Sequence, residues 1–305
     1  TAAYISGDID LALKILDLQK NTLRNRDVPL FRSDEMAQII ALVVTREDFT
    51  FIQKTVQQER DLAQYALFAS AISLNVKFLE TARRAGYDFQ DRSELSPQQK
   101  AIANFIYEKP IDGILIESAR GFAATTEKLA AYFTSIIEAG IFDPNSMIQR
   151  ASELALLDKS KRLYFEYSLS NDKSLILFDA LITIAQVYKN EISLETRKNL
   201  ARAILKMKSD TNGPSPHGSI GLIQKMIQTG TLDIKTLDSM GAYSLLAHKE
   251  CYNPANVTSS GEWANLLMSL GLDPATPDDK GTTGLTAIVT CGTIKDGDKI
   301  FIQAL

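Results

Sequence analysis

One punctuation mark recurs along this chain: a helix with an apolar face ends on Gly, and Asp follows within three residues. It stands in "LETARRAGYDF" at Gly86, "FTSIIEAGIFDP" at Gly140, "IQKMIQTGTLDI" at Gly230 and "ANLLMSLGLDP" at Gly271. The physical demand is common to all of them. An exit Gly enters the left-handed conformation without the cost that a side chain imposes, and so lets the chain turn away from the helix it has just finished. Gly230 and Gly271 stand 41 residues apart (271 − 230), and Gly241 and Gly281 stand 40 apart (281 − 241), so the C-terminal part reads as a repeat with a period near 40. The earlier interval is looser, 54 residues from Gly86 to Gly140 (140 − 86). Between Gly140 and Gly230 the spacing calls for two helix pairs, with Asn190 in "VYKNEIS" as a substitute exit.

Between these exits the dominant signal is a short amphipathic helix with apolar residues three and four apart. "SDEMAQIIALVVTR" offers Ser33 as N-cap and sets Met36, Ile39, Ile40 and Val43 on one face. In "SPQQKAIANFIYEKP" Ser96 caps, Pro97 takes the first helical position where its missing N–H is harmless, and Pro110 follows the end. Further helices are expected over 59–73, 75–85, 126–139, 145–157, 172–189, 193–208, 218–229, 242–250 and 261–270. The fold class is therefore all-α, with 45% apolar composition supplying a sizeable core.

Composition narrows the function classes. The 33 basic and 37 acidic residues leave a formal charge of −4 and are interspersed, which argues against nucleic acid as the main ligand. The longest apolar runs, such as Ile39 to Val44, fall far short of the roughly 20 residues that cross a bilayer, so no membrane span is expected. Cys251 and Cys291 are the only cysteines, too few for a disulfide framework, and a reducing, cytoplasmic setting is the simpler reading. The chain opens at Thr1 without Met and ends on "DKIFIQAL", which reads as a piece of a longer protein.

Candidate chemistry is sparse. His217 and His248 are the only histidines, and with Cys251 they supply too few ligands for a structural zinc site. Asp296 and Asp298 flank a Gly in the manner of a calcium loop, but its remaining oxygen ligands do not follow. His248 and Cys251 share a helical face at a spacing of three, an arrangement that also arises by chance. No Gly-rich phosphate cradle or Ser-centred elbow is present. Trp263 reads as core, and "KRLYFEYSL", with Tyr164, Phe165 and Tyr167 beside Lys161 and Arg162, reads as either an exposed patch or the start of an irregular helix. No catalytic residue, metal or cofactor is assigned.

Together the exits, the period and the helix pairs resemble the ankyrin repeat. "SGDIDLALKILDL" is similar to the second helix of such a unit, with Gly7, Asp8, Leu13 and Leu16 in the family's places. "GLDPATPDDKGTTGLTAIVTCG" is similar to the exit, finger loop and first helix of the next one. "SPQQKAIANF" keeps Ser, Pro and Ala of the family's Thr-Pro-Leu-His-x-Ala, whereas the family's His is absent throughout, Gly284 replaces Pro, and Tyr243-Ser244 replaces Thr-Pro. Residues 141–215 match only as helix pairs. The resemblance implies an α-solenoid of about seven stacked antiparallel pairs, divided into ankyrin-like pairs over 1–110, irregular pairs over 111–215 and ankyrin-like repeats over 216–305.

It also implies a protein–protein interaction scaffold that binds through its concave face and loop tips, here Arg92, Glu94, Asp238, Met240, Asp278, Asp279 and Lys280. Degenerate, irregular repeats are similar to those of secreted bacterial effectors, which would act in a host cytoplasm. Two other classes stay open: an immunity or inhibitor protein that occludes a toxin, and an enzyme with its site in residues 110–215, which strands or a deep polar pocket there would favour.

Overall fold

The structure is a computed structural model that describes residues 2–15, 34–58, 64–89, 109–121, 124–156, 171–206 and 217–241, with scattered positions between 268 and 286. Every regular element among the described residues is a helix, in line with the all-α expectation. They are α1 (Ala2–Ile5), α2 (Asp34–Arg46), α3 (Phe49–Gln58), α4 (Gln64–Ser73), α5 (Lys77–Arg84), α6 (Pro110–Arg120), α7 (Thr126–Glu138), α8 (Pro144–Leu156), α9 (Asn171–Val187), α10 (Leu194–Lys206), α11 (His217–Gln228) and α12 (Ile234–Ser239). Residues 9–15 are also helical.

The exit turns carry the local logic. Gly7, Gly86, Gly140, Gly230 and Gly271 all have positive φ, between 63° and 97°. In five turns the residue after the left-handed position donates its N–H to a carbonyl in the last full turn of the helix: Asp8 to Ala3, Asp48 to Val43, Asn75 to Ser70, Tyr87 to Ala82 and Ile141 to Ile136, at 3.0–3.1 Å. This is the bond that satisfies an orphan carbonyl in a Schellman ending. Two of the five run through a side chain rather than Gly, at Glu47 (φ 48°) and Leu74 (φ 53°).

The acidic residue of the signature then starts the next helix. The Asp8 carboxylate accepts the Leu11 N–H at 2.9 Å, Asp48 the Phe51 N–H at 3.0 Å and Asp233 the Thr236 N–H at 2.8 Å. Gly140-Ile-Phe-Asp and Gly230-Thr-Leu-Asp are longer versions of the joint, whose two middle residues drop into the core: Ile141, Phe142, Thr231 and Leu232 are all buried.

Two predictions arise here. Replacing Gly230 by Val should destabilise by about 1–2 kcal/mol, because a β-branched residue resists positive φ and its Cβ would stand 3.3 Å from the Lys189 Nζ. A lowered urea midpoint checks it. Glu47→Gly should do the opposite and stabilise by about 0.5 kcal/mol, since relief of the left-handed strain at this exposed position slightly exceeds the added freedom of Gly in the unfolded chain. The same titration reads the sign.

Several boundaries differ from the sequence reading. Pro110 opens a helix that the sequence reading did not place. Lys109 is held extended (φ −137°, ψ 150°) by the following Pro, and its N–H reaches the Asp112 carboxylate at 3.1 Å. The helix expected over 97–109 lies, apart from its last residue, outside the described residues. Asn190 is not left-handed. The chain leaves α9 through a turn in which the Tyr188 N–H donates to Ile184 and the Glu191 N–H to Tyr188, both at 2.9 Å. Ser193 then caps α10, accepting the Thr196 N–H at 3.0 Å.

The chain divides into two compact units, residues 1–143 and 144–305. In the first, α2 packs on α4 and α4 on α6, while α3 packs on α5; in the second, α8 packs on α10 and α10 on α12, while α9 packs on α11. Within each unit, then, these contacts join a helix to the next described helix but one, and consecutive described helices also pack, as α4 on α5 and α10 on α11, which is the contact pattern of helix pairs laid side by side. The first unit is centred on Tyr4, Phe51, Tyr65, Phe78 and Phe133, the second on Phe178, Leu181, Leu200, Ile204 and Met147, all buried.

Candidate functional site

The most C-terminal described tip is assembled from two successive exits. Asp233, the N-cap of α12, accepts both the N–H and the hydroxyl of Thr236, at 2.8 Å each. Those bonds, the backbone one first, hold its carboxyl below the ordinary aspartate value even though it is exposed. Five residues on, the Asp238 carboxylate takes the Asp273 N–H at 3.0 Å and the Thr276 hydroxyl at 2.9 Å. Asp238 therefore ties one joint to the next. Met240 is buried, 5% exposed, as are Leu237 and Leu272. The sequence reading takes both as loop-tip contacts, whereas the structure gives Asp238 a bridging role and Met240 a packing role. Arg92, Glu94, Asp278, Asp279 and Lys280 lie outside the described residues, as do His248, Cys251, Trp263, Cys291, Asp296, Asp298 and the segment from Lys161 to Tyr167. His217 is the first residue of α11.

Basic side chains from a neighbouring pair close two of the exits. Arg83 of α5 donates to the carbonyl of Ala139, beside Gly140, and Arg197 of α10 donates to the carbonyl of Thr231, beside Gly230, at 3.0 Å. At Ala139, the C-cap of α7, a cation is also favoured because the last carbonyls of a helix carry its negative dipole end. Lys225 of α11 reaches Asp179 and Thr183 of α9, so a half-buried ion pair joins those helices. Tyr4 donates to Asp48 at 2.7 Å, and Lys54 pairs with Asp10 at 2.9 Å across the same two joints. Burial is the main reason the Tyr4 phenol is pushed above its ordinary value, with Asp48 adding to it. Each of these polar contacts links one helix pair to its neighbour.

Sequence reasoning did not single out the exposed apolar side chains. Ile72 is 49% exposed at the end of α4, and Val187 (64%) and Leu194 (45%) flank the turn between α9 and α10. In α4 no periodic signal could separate Ile72 from the core, because Tyr65, Ala66, Leu67, Ala69 and Ala71 are buried all round it. Among the described residues no group of three or more His, Cys, Asp and Glu side chains is placed to hold a metal, and no helix is long and apolar enough to cross a membrane. No protein-family model matches the chain, and no curated protein or solved structure matches it either.

Proposed function

We propose that the chain is a protein-binding scaffold built, within each unit, from stacked helix pairs of ankyrin-like type. The observation that carries this reading is the repeated joint. Helices end on left-handed residues, Schellman bonds close five of these endings, Asp8, Asp48 and Asp233 cap the helices that follow three of the exits, and several helices rest on the next described helix but one. Such a design spends its buried side chains on neighbouring pairs and leaves turns free to carry recognition. The described residues of 110–215 are helical wherever they form a regular element, as stacked helix pairs require. The partner is a protein, contacted by Arg92, Glu94, Asp278, Asp279 and Lys280, while Asp238 and Met240 support the adjacent joint. Action in a cytoplasm, including that of a host cell for an effector, belongs to the same proposal.

The experiment is capture of the partner with the intact protein, followed by titration of variants against it. Arg92→Ala, Glu94→Ala, Asp279→Ala and Lys280→Ala combined should weaken binding at least tenfold with little change in the melt, because surface substitutions of this kind shift stability by no more than about 0.5 kcal/mol each. Met240→Ala, in contrast, should lower stability by about 2 kcal/mol, the cost of truncating a buried Met. Unchanged affinity in the tip variant overturns the assignment and moves the interface to the segment around Tyr164 and Phe165.

A further inference from the structure

We draw no further inference here: the strongest candidate, the exposed apolar side chains Ile5, Leu11 and Ile15 on the helices at the N-terminal end of the first unit, is an apolar surface for which nothing in the structure shows what covers it.

Discussion

Truncating Phe51 to Ala should cost about 3–5 kcal/mol, the range for deleting a fully buried aromatic ring. Phe51 is wholly buried and lies between two other rings, 5.0 Å from Tyr4 at an interplanar angle of 73° and 5.9 Å from Tyr65 at 87°. Both are edge-to-face geometries that add to the burial itself. The three residues belong to α1, α3 and α4, so this file of rings runs across three helices of the first unit. Its backbone matters as well: the Phe51 N–H is held by Asp48, whose second oxygen receives the Tyr4 hydroxyl. Loss of the ring therefore loosens the seat of Tyr4 and, through it, the joint that Asp48 caps. Because Tyr4 meets α3 through this ring and the Asp48 bond, the damage should be local at first. The check is a denaturant titration combined with amide exchange. The expected result is a drop in stability of that size and early loss of protection in residues 2–15; a drop under about 1 kcal/mol would show that the ring file is not what joins these helices.

What the sequence reveals about this fold depends on whether a residue type advertises its backbone. Gly86, Gly140, Gly230 and Gly271 are visible as exits because Gly is the residue of choice at positive φ, and all four adopt it. Helices bounded by such exits are placed closely: 126–139 is expected and Thr126–Glu138 found, 145–157 expected and Pro144–Leu156 found. The same rule fails where another residue does the work. Glu47 and Leu74 turn the chain without any compositional mark, and α3, which starts just after Glu47, goes unread. Asn190 carries the mark and does not turn the chain that way.

Helix α6 escapes for a different reason. Pro110 serves a local reading equally well as the stop of one helix or the first position of the next, and the extended Lys109 with its bond to Asp112 makes it a start. The candidate site suffers from the same limit. Met240 sits between a polar stretch and Gly241 and so reads as a projecting tip. It is nevertheless buried at the end of α12, a helix only six residues long that this stretch does not advertise.

Ser70 offers the sharpest test of how a non-Gly exit is held. It grips the turn after α4 twice: its carbonyl accepts the Asn75 N–H at 3.1 Å, and its hydroxyl donates to the Asn75 carbonyl at 2.8 Å. Between them lies Leu74 with φ 53°. The hydroxyl has a single proton and spends it on Asn75, so the bond of 2.7 Å to the Tyr132 hydroxyl must run from the phenol to the Ser70 Oγ. The result is a directed chain from Tyr132 on α7 through Ser70 on α4 to the backbone of the exit. Burial raises the Tyr132 phenol pKa well above its usual value, so the phenol stays a neutral donor.

Ser70→Ala leaves the buried Tyr132 hydroxyl and the half-buried Asn75 carbonyl without this partner and should cost about 2–3 kcal/mol, most of it from the phenol, given about 1–3 kcal/mol for a buried group left unsatisfied. Tyr132→Phe removes the donor but leaves Ser70 bonded to Asn75, and should cost only about 1 kcal/mol. Because the phenol is no longer orphaned when both are changed, the double variant should be less destabilised than the sum of the two singles, by about 0.5–3 kcal/mol. Urea unfolding of the three variants measures all of this. If Ser70→Ala costs no more than Tyr132→Phe, the exit at Leu74 stands without its clasp, and the strain there must be offset by the packing of α5 on α3 and α4.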